Sequence, residues 1–323
     1  MGRRRWLGAL LALLALSGIA WAQSDYPQRP IKLVVPFPPG GSVDPAARLL
    51  APRLSERLGK PVIVENRAGA GGAVGSDFVA KSPPDGYTLV WGTVSSHAIN
   101  SSLYPKLPYD NLRDFAPVVR LLQQPLMVVV TPDSKLVTAG DLLTALRNRE
   151  RPLNFGSAGA GTTGHMTGEL LKRLTNGDLT HVAYKGSSPM LNDLIGGQID
   201  LGIDNLPSAL ALARAGKLRA LAVTSSERSP LAPEVPALSE LIPGMEVVAW
   251  QGLFAPAGTP PEILDRLARE TRDVLSDPAL RARLIESGTT PAAGTREEFT
   301  GFVQQETRRW REIVQAAGIK LGD

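Results

Sequence analysis

Ile31-Lys32-Leu33-Val34-Val35-Pro36-Phe37-Pro38-Pro39-Gly40-Gly41-Ser42-Val43-Asp44 is the stretch from which the fold can be read. It opens as a short apolar run and ends in prolines and glycines, as expected of a strand buried on both faces. The glycines then permit a tight turn, with Asp44 placed to cap a helix and Pro45 to take its first position. Ala47, Leu50, Ala51, Leu54 and Leu58 recur at helical spacing, and Gly59 closes the element. A strand that passes through a glycine turn straight into a helix is the first half of a βαβ unit.

The alternation continues outward with a strand at 61–65, a glycine-rich turn at 69–75, a helix at 76–81 and a strand at 88–93. It then recurs as strand 153–157, helix 162–174, strand 181–184, helix 189–195 and strand 200–204. This order predicts an α/β fold with parallel strands and crossover helices. Its repetition predicts two doubly wound domains, each with its own sheet. Two long apolar stretches, 118–130 and 247–255, each end in a proline turn and lead into a helix. They are expected to cross between the domains as hinge strands. Towards the C-terminus, Asp277-Pro278 and Thr295 with Glu298 are helix starts, and Gly288 is a stop.

The chain has 323 residues, 43% hydrophobic and 20% charged, and no cysteine. That composition is that of a folded protein, long enough for about two cores. Without cysteine there is no disulfide, thiolate metal site, iron–sulfur cluster or catalytic thiol. Met1 to Ala22 carries three arginines, an apolar stretch from Trp6 to Leu16 and the small-residue end Ala20-Trp21-Ala22. This is the pattern of a secretory signal peptide cleaved after Ala22, with a short membrane anchor as the competing reading. Arg4-Arg5 leaves Sec and twin-arginine export undistinguished. Removing three positive charges from the formal +4 leaves +1, which gives no electrostatic reason to expect nucleic acid as a partner. A periplasmic location is expected of an exported chain without disulfides.

Ligands of open α/β sheets bind outside the carboxyl ends of the strands, so the loops after Phe37, Thr93, Ser157, Tyr184 and Asp204 are the candidates. The first carries Phe37, Pro39, Gly40, Gly41, Ser42 and Asp44. It reads either as a nest of backbone N–H groups for a carboxylate or as a plain tight turn. The second offers Ser95, Ser96 and His97, whose imidazole is either a structural hydrogen-bonding group or the base of an exported serine hydrolase. In the third, Ser157-Ala158-Gly159-Ala160-Gly161-Thr162-Thr163-Gly164 holds a G-x-G-x-x-G. Tyr184-Lys185-Gly186 stands where a dinucleotide site needs an acidic residue, so a second anion nest fits better than a nucleotide enzyme. Lys185, Gly186 and Ser187 form the fourth loop, in which Lys185 either neutralises a substrate carboxylate or pairs with Asp204. Asp204 and Asn205 form the fifth. There is no G-x-S-x-G or H-E-x-x-H, and His97, His165 and His181 lack metal-ligand spacing, so no catalytic residue, metal or cofactor is assigned. Phe37, Trp91 and His97 either border an aromatic acid or simply pack.

Several segments share an order with a known family: Pro30 to Phe37, Pro39-Gly40-Gly41 with Asp44, Val64-Glu65-Asn66-Arg67, Pro84-Asp85-Gly86-Tyr87-Thr88-Leu89, Asp114-Phe115-Ala116-Pro117-Val118, Tyr184-Lys185-Gly186, Leu218 to Thr224 and Ala255-Pro256-Ala257-Gly258-Thr259-Pro260. Through them the chain resembles the extracytoplasmic solute receptors of tripartite tricarboxylate transporters, the Bug receptors. The resemblance implies a type II periplasmic-binding-protein (Venus-flytrap) architecture, with one domain over 23–117 plus 250–323 and the other over 118–249. It also implies a non-enzymatic, monomeric receptor. Such a receptor closes on a small organic carboxylate, held by main-chain amides, hydroxyls and water, and delivers it to a large and a small membrane subunit. A receptor feeding a signalling partner is the other use of such a fold. The expected cradle is Phe37 to Asp44 with Ser95, Ser96 and His97 in the first domain. In the second it is Ser157 to Thr163 with Lys185, Gly186, Ser187, Asp204 and Asn205. Pro45 and Pro52 depart from the plain helix usual in the family, so a delayed helix start and a kink or shortening at Pro52 are expected. The identity of the carboxylate is left open.

Overall fold

The computed structural model describes residues 26–149 and 151–319, so the signal-peptide segment lies outside the described residues. Strands β1 (Ile31–Val35), β2 (Val62–Asn66) and β3 (Thr88–Thr93) alternate with helices α1 (Val43–Leu58) and α2 (Ala73–Ala80). A widened helical turn at Ser95–Ile99 and the short α3 (Asn100–Leu103) lead to the long strand β4 (Phe115–Val130). Then come α4 (Ala139–Asn148), β5 (Leu153–Ser157), α5 (Thr163–Thr175), β6 (Leu179–Ala183), α6 (Ser187–Ile195), β7 (Leu201–Asn205), α7 (Leu206–Arg214) and β8 (Arg219–Val223). The chain returns through β9 (Val248–Pro256), α8 (Pro261–Ser276), α9 (Pro278–Glu286), β10 (Thr290–Pro291) and α10 (Arg296–Ala317).

β2, β1 and β3 are parallel, as are β6, β5 and β7, which is the expected doubly wound arrangement in each half. The two crossing strands do more than pass between the halves. β9 pairs antiparallel with β3 and with the first part of β4, from Phe115↔Pro256 to Pro125↔Val248. The remainder of β4 pairs antiparallel with β7 and β8. The order β2-β1-β3-β9-β4-β7-β5-β6 is therefore continuous, with β8 and β10 also on β4. Two separate sheets were expected. β4 joins them because its 16 residues exceed the usual length of one strand, and it exchanges β9 for β7 as its partner between Pro125 and Leu126.

α1 buries Val43, Ala47, Leu50, Leu54 and Leu58 as one stripe against β1 and its neighbours, and ends at Gly59 in the left-handed region. Deleting a fully buried member such as Leu50 to alanine would cost about 2–5 kcal/mol. The helix starts at Val43, one residue before the expected cap. Pro45 delays nothing, because in the first turn its missing N–H has no intrahelical acceptor to lose. Pro52 lies inside the helix without ending it. The helix starts read at Asp277 and Thr295 are present, each side chain accepting a backbone N–H three residues on. Among the described residues, no helix is long and apolar enough to cross a membrane.

Candidate ligand-binding site

A cavity of about 50 Å³ lies where the two halves meet. That is room for a few waters or one end of a small molecule. Its floor is made by the crossing strands, through Gln124 and Leu126 of β4 and Ala249, Trp250 and Gln251 of β9. One wall is Phe37, Pro39, Gly41 and Ser42 with Thr93 and Ser95; the other is Ala158, Thr162, Thr163, Gly186, Ser187, Asp204 and Asn205.

Four helices begin at this cavity. Ser42, Thr162, Gly186 and Asn205 immediately precede α1, α5, α6 and α7, and all four line it. Each helix start presents unpaired N–H groups and roughly half a positive charge. Among the described residues, no lysine or arginine lines the space, so backbone dipoles and hydroxyls are the groups it offers an anion. The halves touch across it: Asn205 Nδ2 donates to Ser42 Oγ at 2.7 Å. Among the described residues, Asp204 is the only ionisable one lining the cavity. It is buried, and its oxygens accept from Ser187 Oγ at 2.7 Å and Ser208 Oγ at 2.5 Å. Burial raises its pKa, and the serine hydrogen bonds offset this only in part.

The other residues expected in the cradle stand behind it. Asp44 is not the helix cap. It lies in the first turn of α1 and accepts from Gly40 N–H, Arg48 and Asn66 Nδ2, which ties the first loop to β2. Burial opposes its charge, but these bonds outweigh burial and hold its carboxyl below the ordinary range. Ser96 Oγ lies 2.9 Å from His97 Nδ1, a serine–imidazole pair, yet neither residue lines the cavity. His97 is fully buried, stacked at 4.0 Å on Phe254, and burial pushes it down to about 3. Enclosed in the core and made a weak base by burial, this imidazole does not reach a ligand in the cleft. Ser157 binds His181 Nε2 at 2.7 Å and braces the loop through Gly159 O and Thr162 Oγ1, away from the cavity. Gly159 and Lys185 face a different groove on the outer edge of the cleft. Gly161 instead turns the loop, with its N–H on His165 Nδ1 at 3.2 Å. Lys185 is exposed, and among the described residues no ion pair joins it to Asp204, whose oxygens are taken by serines. Trp91 is buried and packs, with Nε1 on Gln251 Oε1 at 2.6 Å.

Gln124, Trp250 and Gln251 are lining residues that loop-based reasoning overlooks. The available signal was the amides placed within the two long apolar crossing stretches, Gln123-Gln124 in β4 and Gln251 in β9. Among the described residues, no group of His, Asp and Glu is arranged to hold a metal.

A sequence profile described as "Tripartite tricarboxylate transporter family receptor" matches residues 46–319. The chain belongs to this receptor family. BugT of Bordetella pertussis is 39% identical over 325 residues, covering 99% of this chain and 100% of BugT. A Rhodopseudomonas palustris protein solved with adipate superposes with a TM-score of 0.88 at 39% identity, covering 92% of this chain and 100% of that one. MatC of the same species, solved with bound malate, gives 0.85 at 34%, covering 90% of this chain and 100% of MatC. The receptors of this family are periplasmic solute-binding proteins with a two-domain architecture, not enzymes.

Proposed function

We propose that this receptor captures a small organic carboxylate between its two halves in the periplasm and delivers it to the membrane subunits of a tripartite tricarboxylate-type importer. The observation that carries the reading is the convergence of four helix N-termini on one cavity without a cationic side chain. Charge-assisted hydrogen bonds from such N–H groups contribute about 1.5–3 kcal/mol each, so a few of them offset ordering costs and reach micromolar affinity, about −8 kcal/mol. The adipate and malate carried by two relatives are carboxylates of the class this geometry suits. The closing bodies are proposed to be residues 23–117 with 250–323, and residues 118–249, and the receptor is proposed to act as a monomer.

The test is calorimetric titration of protein that has been unfolded and refolded to strip retained ligand. The panel holds aliphatic mono-, di- and tricarboxylates and aromatic acids. Saturable binding of at least one carboxylate, with loss of its uptake when the receptor is deleted, is the expected result. A panel without binding removes the anion reading, and binding with intact uptake removes the importer.

A further inference from the structure

We propose that Gln124 makes this receptor selective for carboxylates that also carry a hydroxyl group, a reading that rests on the carboxylate function proposed above and narrows it. Gln124 sits in the cavity floor and is 2% exposed, yet its Oε1 is buried without a hydrogen-bond partner. β4 runs in unbroken register with β9 from Leu122 to Pro125, so strand alternation puts Gln124 on the same face as Leu126, which also lines the cavity. The two neighbouring glutamines are already committed. Gln123, on the opposite face, accepts from Arg120 Nη2 at 2.5 Å, and Gln251 accepts from Trp91 Nε1. Of these three glutamines, Gln124 is the one whose carbonyl oxygen is unmet at the cavity.

A primary amide needs acceptors for its N–H groups and a donor for its carbonyl. A carboxylate supplies acceptors alone, whereas a hydroxyl can also donate to the buried Oε1. Asn205 repeats the pattern on the adjoining wall. Its Nδ2 is committed to Ser42, while its Oδ1 is buried and unpartnered. β4 and β7 hold the two residues close, since Leu126, two positions beyond Gln124, pairs with Asn205. The helix starts thus provide donors for carboxylate oxygens, and the floor beside them provides acceptors for which a pure polycarboxylate has no proton. A site built to hydrogen-bond a substrate hydroxyl rejects the analogue that lacks it, because its own polar groups are then left unpaired.

The experiment compares ligand pairs that differ by one hydroxyl, malate with succinate and citrate with tricarballylate, by calorimetry on refolded receptor. The hydroxylated member of at least one pair is expected to bind about tenfold or more tightly. In Gln124→Leu the two members should come within about twofold, through loss on the hydroxylated side. Equal affinities in the wild type, or a preference that persists in Gln124→Leu, would overturn the proposal while leaving the carboxylate reading in place. Tighter binding of aspartate than of malate would overturn it too, by assigning the acceptors to an ammonium. Absence of binding by every acid would remove both readings together. Should Gln124→Leu fail to fold, Gln124→Met and the wild-type ratio decide.

Discussion

Asn205 Nδ2 and Ser42 Oγ are 2.7 Å apart, and the bond joins the start of α7 in one half to the start of α1 in the other. It forms between two residues that line the cavity from opposite sides. Each residue also immediately precedes a helix that starts at the cavity, so the bond lies beside the proposed anion site. Asn205→Ala is expected to weaken carboxylate binding about fivefold to tenfold, the loss of one such bond. Thermal stability of the ligand-free protein should change little. Calorimetry with the best ligand of the panel checks this; unchanged affinity would show that closure does not depend on the bond.

A second closure contact lies on the outer edge of the cleft. A Cβ built on Gly71 would stand 2.7 Å from the Ala160 carbonyl oxygen of the opposite half, and Gly71 has φ +59°. Gly71→Ala should hold the cleft ajar and lower affinity severalfold. Gly197 has φ +70° with nothing within 4 Å, so Gly197→Ala carries the backbone strain without the obstruction. Equal ligand affinities in the two variants would remove the steric explanation.

The parallel strands were legible almost to the residue. Thr88–Thr93 and Leu153–Ser157 are continuous apolar or small runs bounded by turns, which is how a strand buried on both faces presents itself. The pairing of β4 with β9 was not legible, because residues 115–130 meet residues 248–256 only through the tertiary fold. At the site, topology pointed to the loops but not to which neighbour faces inward. Ser95 lines the cavity while Ser96 and His97 go to the core, because the chain after β3 winds into a widened helical turn rather than leaving as an extended loop. Gln124 and Gln251 escaped notice for the opposite reason. Each lies in a run whose average is apolar, where an amide reads as an interruption rather than as the floor of a site.

His97 and His165 are buried and His181 is half-buried, and all three are held neutral. Burial pushes His97 down to about 3 and His165 to about 4; His181 falls to about 3 through burial and the stacked His165 ring, 3.9 Å away. Glu169, a turn along α5, faces His165 Nε2 at 3.9 Å and is itself raised by burial. Ring-nitrogen NMR shifts should therefore stay at neutral values from pH 7.5 down to pH 5. Titration of any of the rings near 6.5 would contradict its packing. The sign for stability follows from the unfolded value of 6.5 lying above the folded ones. The imidazole contribution is complete above pH 6.5 and is lost as pH falls towards 4, by about 1.4 kcal/mol per pH unit for each ring that forgoes a proton.

Asp204 titrates in the opposite sense. Burial raises its pKa above the ordinary 3.8, and a bound carboxylate in the same cavity adds a like charge that raises it further. Protonated Asp204 is then the better host, so binding should take up a proton and weaken as pH rises, by up to about tenfold per pH unit once Asp204 is ionised in the free receptor. Calorimetry in two buffers of different ionisation heat measures the proton directly. Asp204→Asn keeps the shape of the group and a hydrogen-bonding partner for Ser187 and Ser208, and removes the charge. It should abolish the uptake and bind more tightly than wild type at pH 8. Binding without proton uptake across pH 5–8 would mean that the ligand's carboxylates lie on the helix starts far enough from Asp204 to leave its ionisation undisturbed.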